Sequence, residues 1–385
     1  MTAPLRIVAL TSTGQVSGAE RVLVRTLAAA VEAGHDVVCL SPAGALADQV
    51  AATGARHRVV PELGLSGGPR PVAALRTIGR WLGAAWVLRR AVRGADVVLV
   101  NALLALPTLR LASLAGVRMP ALWLAHDVVV ARSRLQLYRW CRPALTRVVG
   151  VSEAVARPLR ALGAGPEVTV VHNGVPPVDP ADRADPSRVV DVPVVGLNGL
   201  LTPWKGQQVL LDASWRFGTP ARVELMGGQL VTDGAYVAEL RARVDGTELG
   251  RRVELVGHVD APLRRMRDWT VAVSASVEPE ACPLNVLEAM SLGVPVVATD
   301  HGGSPEVLDG AGLLVPPGDP DALAAAVTRL LDDPELRHRL SVRGLERVGR
   351  AHRLDRQTAA LLDQIATVAG RVVHDPGTGM GRITP

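Results

Sequence analysis

Apolar residues along this chain fall into short unbroken runs, separated by longer stretches in which they recur at helical spacing. The runs predict strands near 5–12, 36–40, 56–60, 96–101, 119–125, 147–152 and 168–172, and again near 193–199, 222–227, 253–257, 270–275, 295–299 and 312–315. The stretches between them predict helices at about 18–33, 71–93, 105–115, 134–145 and 153–162, then at 205–216, 234–248, 284–292 and 320–331. Runs such as Val97-Val98-Leu99-Val100 show no polar alternation. That pattern means burial on both faces, hence parallel sheets covered by helices.

The rhythm breaks at 175–192, where Val175-Pro176-Pro177-Val178-Asp179-Pro180 and Asp185-Pro186 forbid a helix. The expected organisation is a first domain over 1–178, a linker over 179–192 and a second domain over 193–352. Helical patterns continue at 334–350 and 353–370, the last expected to pack back toward the first domain, and a flexible tail follows at 371–385. Ligands of doubly wound sheets bind outside the carboxyl ends of the strands. A cleft between two such domains is therefore the expected site.

Composition narrows the class. A chain of 385 residues, 48% apolar, can fill two cores, and with seven Trp, two Tyr and one Phe those cores must be Val, Leu and Ala. Cys39, Cys141 and Cys282 lack paired spacing, which argues against disulfides or a zinc site and suits a reducing cytoplasm. No apolar run reaches the ~20 residues needed to cross a bilayer. Charge divides unevenly: residues 1–190 carry 22 Arg against 12 acidic side chains, and residues 191–385 carry 20 basic against 25 acidic. A basic half suits an anionic acceptor or membrane surface. Nucleic acid is not expected, because no aromatic residues interleave with the arginines as stacking platforms.

Lys205 is the one lysine among 42 basic residues. Arginine is a planar fork, whereas lysine brings a compact ammonium to a single oxygen. In Thr202-Pro203-Trp204-Lys205-Gly206 it reads as a phosphate contact at a strand-to-helix turn. The richest stretch follows at 274–306. There a strand ends in Glu278-Pro279-Glu280-Ala281-Cys282, and a helix is expected to open with Pro283 as its first residue. The N–H groups of Leu284 and Asn285 then form an anion site. Glu280 precedes that helix and Glu288 lies in its second turn, so the two carboxylates should flank a diphosphate and bind sugar hydroxyls on either side. The one Asp-x-Asp, Asp319-Pro320-Asp321, reads as a helix cap, and no metal is expected.

Glu280-x7-Glu288-Ala289-Met290, Gly293-Val294-Pro295-Val296-Val297-Ala298 and Gly302-Gly303-x-x-Glu306 together resemble the signature of glycosyltransferase family 4. Gly18-Ala19-Glu20-Arg21, Gly34-His35-Asp36-Val37, Val151-Ser152-Glu153-Ala154, Val171-His172-Asn173-Gly174-Val175, Gly227-Gly228 and Val256-Gly257-His258-Val259 extend the likeness over nearly the whole chain. The resemblance implies the GT-B fold: two doubly wound, Rossmann-like domains facing a central cleft. It implies a retaining, metal-independent hexosyltransferase whose substrate is a nucleotide sugar, with UDP the leading nucleotide and GDP or ADP as alternatives, and no cofactor. Carried over by position, Lys205 would hold the diphosphate, Glu280 the transferred sugar and Glu288 the ribose. Leu284 and Asn285 would offer backbone N–H groups, the backbone near His258 would meet the base, His126 would reach the donor sugar, and Gly18 would let its loop approach the phosphates.

Three positions depart from the family pattern. Leu200 replaces an arginine that also grips the diphosphate, Ser17 replaces a glycine before Gly18, and Pro283 replaces a frequent glycine. The acceptor stays open between lipid-linked, glycan and small natural-product hydroxyls. Residues 70–93, with six arginines, Trp81 and Trp86, read either as a helix lying on an anionic membrane or as a covering helix with solvated arginines. The expected location is cytoplasmic, with the membrane's inner face as a peripheral option. A nucleotide-sugar epimerase of the same fold and a non-catalytic nucleotide-sugar-binding protein are the rival readings. Gly14-x-x-x-Gly18 lacks dinucleotide spacing, which excludes a dehydrogenase.

Overall fold

The computed structural model describes residues 3–64, 70–185, 190–228, 233–246 and 248–370. The expected tail 371–385, and 186–189 of the expected linker, lie outside the described residues. Two compact units form: one from the described residues of Met1–Gly150, Leu159–Val171 and Thr358–Pro385, the other from Val151–Pro158 and His172–Gln357.

The first unit is built on β1 (Arg6–Leu10), β2 (Asp36–Ser41), β3 (Arg56–Val59), β4 (Val97–Val100), β5 (Ala121–Ala125), β6 (Arg147–Gly150) and β7 (Glu167–Val170). They pair in parallel in the order β3-β2-β1-β4-β5-β6-β7. The second unit holds β8 (Val194–Asn198), β9 (Arg222–Met226), β10 (Val253–Gly257), β11 (Val271–Ser274), β12 (Val296–Thr299) and β13 (Leu313–Val315). Their order is β10-β9-β8-β11-β12-β13, again all parallel. All thirteen expected strands are present. Their burial follows from the apolar runs: Val97, Val98, Leu99 and Val100 are all buried, as a central parallel strand requires.

Helices cover the strands in both units. The long ones agree with the sequence pattern to within a few residues, but three short ones escaped it: Ala45–Ala52, Pro262–Met266 and Ser304–Leu308. The first buries only Leu46 and Val50, one turn apart, too brief a repeat for periodicity to register. No described helix is long and apolar enough to cross a membrane. In the second unit Val195, Leu197, Val223, Leu225, Val271 and Val273 pack against Leu210, Leu240, Val327 and Leu330. Aromatic scarcity concentrates ring packing in few places; Trp123, fully buried, meets Tyr138 at 5.3 Å between ring centroids.

Gly206 caps the turn Pro203–Lys205 and starts the helix Gln207–Ser214 in the left-handed region, at φ 72°. A Cβ there would stand 1.9 Å from the carbonyl oxygen of Ala275. Gly206→Ala should therefore lower stability by roughly 1–3 kcal/mol through combined backbone strain and overpacking. Urea unfolding at matched m-values would measure it.

Candidate functional site

Strand order in the second unit reverses between β8 and β11, and a doubly wound sheet opens a crevice at the carboxyl ends of such a pair. β8 runs out at Asn198 and leads to Lys205; β11 runs out at Ser274 and leads to Glu280. The two connections are fastened together. Val277 donates its N–H to the Trp204 carbonyl at 2.8 Å, and Gly206 abuts Ala275. Across this seam the Lys205 Nζ meets Glu280 Oε2 at 2.6 Å, with side chains 13% and 8% exposed. The ammonium also lies 4.3 Å from the Trp204 ring centroid.

The other carboxylate oxygen, Oε1, accepts from Ser274 Oγ at 3.3 Å and from Ser276 Oγ. Alternation along an extended backbone puts residues two apart on one face, which is how Ser274 and Ser276 converge on one oxygen. Burial pulls the Glu280 pKa upward, but the Lys205 charge and the hydrogen bonds from Lys205, Ser276 and Ser274 outweigh it and hold the carboxyl below its ordinary value. Glu280 is thus ionised and held on both oxygens. Its backbone is held too: Gly303 N–H donates to the Glu280 carbonyl at 2.7 Å, and a Cβ on Gly303 would sit 1.9 Å from the Ala281 oxygen. His301 adds a hydrogen bond from Nε2 to the Ser276 carbonyl, at 2.8 Å. The direct contact between Lys205 and Glu280 was not foreseen from the sequence.

The helix after this loop is Leu284–Ser291, with Pro283 as its cap (φ −67°, ψ 110°) rather than its first residue. Pro283 is extended because the chain arrives from a loop, so Leu284 and Asn285 supply the first helical N–H groups, which have no partner within the helix. The Asn285 amide donates to the Asn198 carbonyl at 2.9 Å, tying the helix start to the end of β8. Glu288 is buried on the second turn. His258 follows β10 at the sheet edge with an exposed ring, 3.5 Å from Asp260. Leu200 offers its carbonyl to the Gln207 amide at 2.8 Å.

Gly18 and His126 belong to the first unit. Gly18 is the first residue of the helix Gly18–Glu32, whose cap is Ser17. Glu20, in the first turn, reaches back to accept from the Ser17 N–H (3.2 Å) and hydroxyl. Serine in place of glycine thus completes a capping arrangement. His126 follows the end of β5 and is held by Asn101, which follows β4: its Nε2 lies 2.9 Å from Asn101 Oδ1. The Asn101 amide nitrogen donates to the Ala19 carbonyl at 3.4 Å, which orients Oδ1 toward the histidine. Nε2 therefore carries the proton, and Nδ1 is the acceptor. Burial lowers the His126 pKa to about 4, so the ring is neutral at pH 7.

Other motif segments have a structural use within the second unit. Glu306 accepts from the Glu153 N–H at 2.9 Å and from His172 Nε2. Burial raises its pKa, but these bonds outweigh that and lower it. Asn173 donates to the Cys282 carbonyl (3.1 Å) and accepts from Gln357 (3.1 Å), while His352 Nδ1 donates to the Asn173 carbonyl at 2.9 Å. These contacts brace the loop that carries Glu280.

Comparisons with known proteins cover both halves of the chain. The pattern described as Glycosyltransferase Family 4 matches residues 16–178, and that of Glycosyl transferases group 1 matches residues 192–333. A phosphatidyl-myo-inositol mannosyltransferase of Mycolicibacterium smegmatis is 29% identical over 362 residues, 88% of this chain and 87% of that protein. The lipopolysaccharide core biosynthesis mannosyltransferase LpsB of Rhizobium meliloti is 33% identical over 135 residues, 33% of this chain. The chain spans 37% of the length of LpsB, and 11% and 39% of two other curated relatives. The structure of Anabaena HepE with UDP-glucose superposes with a TM-score of 0.80 at 21% identity, covering 94% of this chain and all of that one. At that identity the likeness shows the fold, which is GT-B.

Two outcomes are expected of the site as a structure. Lys205→Met should cost roughly 3–5 kcal/mol, because it leaves a buried carboxylate uncompensated, and Lys205→Met with Glu280→Leu should recover most of the loss. Urea titration of the single and double variants measures both. His352 is 1% exposed, and burial lowers its pKa to about 4 from an ordinary 6.5. Between those values the unfolded chain binds the extra proton, so stability should fall as pH drops from 6.5 toward 4, by up to a few kcal/mol, and level off below. A His352→Asn variant should show a shallower fall in melting temperature across that window.

Proposed function

Because this chain belongs to glycosyltransferase family 4, we propose that it moves a hexose from a nucleoside diphosphate sugar to an acceptor hydroxyl with retention of anomeric configuration. The observation that carries this reading is the buried Lys205–Glu280 pair at the switch point of the second sheet, beside the helix start at Leu284. An ammonium has three N–H donors. One meets Glu280, and the others are suited to phosphate oxygens, with the N–H groups of Leu284 and Asn285 adding the partial charge of a helix start.

In this reading Glu280 accepts from hydroxyls of the transferred sugar and Glu288 from the ribose. The backbone near His258 meets the base, and Gly18 admits the phosphates. His126, neutral with Nδ1 as acceptor, takes a hydrogen bond from a sugar hydroxyl. Catalysis then rests on positioning and on stabilising charge as it develops on the leaving diphosphate. With retention, the acceptor hydroxyl arrives on the face that the diphosphate leaves. The glycosidic oxygen forms its bond to the anomeric carbon, the anomeric carbon–phosphate oxygen bond breaks, and the proton passes to the departing phosphate. Lys205 and the helix start supply the positive charge, and no metal takes part.

The leading donor is a UDP-sugar, in keeping with the UDP-glucose held by HepE, with GDP- and ADP-sugars as alternatives. The relatives named as acting on phosphatidylinositol favour an acceptor carried on a lipid. The protein would work in the cytoplasm, against the membrane's inner face.

A thermal-shift panel of UDP-, GDP- and ADP-sugars tests donor binding. One nucleotide class should raise the melting point, since ligand at 100 times Kd adds about 2.7 kcal/mol; no shift with any of them would overturn the reading. Glu280→Gln should keep the donor-induced shift and lose transfer. Lys205→Ala should lower kcat at saturating donor by roughly a hundredfold, the scale of one charge-stabilising contact.

A further inference from the structure

The helix Arg70–Ala91 has an inner face that the fold accounts for. Thr77, Ala84, Leu88 and Ala91 are buried, and Trp81 Nε1 donates to the Leu104 carbonyl at 3.1 Å. Its outer face is apolar as well. Leu75, Ile78, Leu82 and Trp86 follow one another at intervals of three or four residues, hence along one stripe, and are 71%, 46%, 52% and 59% exposed. With Val72, this helix holds five of the fourteen large apolar residues exposed among the described residues. A helix stabilised only by its inner face has no need of such a stripe.

Charge identifies what covers it. Between residues 63 and 152 the sequence carries thirteen arginines and two acidic residues, Asp96 and Asp127. Arg76 and Arg90 flank the stripe, both exposed, and the Arg90 guanidinium carbon lies 3.0 Å from the Trp86 ring centroid. A second copy of the chain, docked stripe to stripe about a two-fold axis, would set these arginines against their own counterparts. A bilayer presents apolar depth and anionic headgroups together, and it receives such a helix parallel to its surface, with tryptophan at the headgroup level and arginine stems reaching outward.

We propose that the outer face of the helix Arg70–Ala91 docks on an anionic lipid bilayer. The stripe sinks into the headgroup boundary, and Arg76 and Arg90 pair with lipid phosphates. This surface stands independently of the transfer reading and supplies the place where a lipid-borne acceptor would be met.

The full chain is sedimented with vesicles of phosphatidylcholine alone, or with about one third phosphatidylglycerol, at low and high salt. Binding is expected to the anionic vesicles and to weaken with salt. Leu82→Asp with Trp86→Asp should reduce it by more than about tenfold, and Arg76→Gln with Arg90→Gln roughly fivefold per arginine removed. Circular-dichroism melts and the nucleotide-sugar thermal shift serve as folding controls for both pairs, the arginine pair altering only exposed side chains. Equal sedimentation with both vesicle types, or with neither, overturns the proposal. So does sedimentation velocity showing a wild-type dimer that the aspartate pair dissociates, since the stripe would then join copies of the chain. A nucleotide-sugar shift without vesicle binding would defeat this inference and leave the transfer reading intact.

Discussion

A single buried ion pair ties together the loops at the switch point of the second sheet. Lys205 and Glu280 lie on connections from two strands that are adjacent in the sheet but distant in sequence, and their contact joins those connections at the point where strand order reverses. Taking both charges out of water is costly, and the pair is compensated only because Ser274 and Ser276 satisfy the remaining carboxylate oxygen. The glycines behind it follow from the same demand. Gly206 lets one turn lie against Ala275, and Gly303 lets another lie against Ala281. Ionised and hydrogen-bonded on both oxygens, the carboxylate is held in place by the protein itself, the preorganisation that the proposed donor site would need.

The same economy appears in the first unit with uncharged groups. Asn101 follows a strand next to the one that delivers His126, and its amide sets the imidazole tautomer. Lys205 and Glu280 lie on connections that leave neighbouring strands, and His126 is steadied by Asn101 beside the adjacent strand.

Much of this was legible in the sequence. The apolar runs gave every strand because parallel strands buried on both faces leave an unmistakable signature. The solitary lysine and Glu280 pointed to the two loops that meet at the switch point. What could not be read were interactions whose partners are far apart in sequence. Nothing near Lys205 signals that its ammonium contacts Glu280, 75 positions away, and nothing near His126 announces Asn101. Ser274 and Ser276 carried a weak signal in their alternation at a strand end. Pro283 was misplaced by one residue, because a proline fits equally well as cap or first helical residue and only the arriving backbone decides. The motif residues His172, Asn173 and Glu306 make hydrogen bonds to distant segments that the sequence does not announce.

That Lys205 is the one lysine of the sequence has a practical result. The chain's side chains offer one primary amine, and that amine is shielded and engaged with a carboxylate. Amine-directed acylating reagents would find almost nothing to modify apart from the amino terminus. Any labelling of Lys205 would report directly on the opening of that seam.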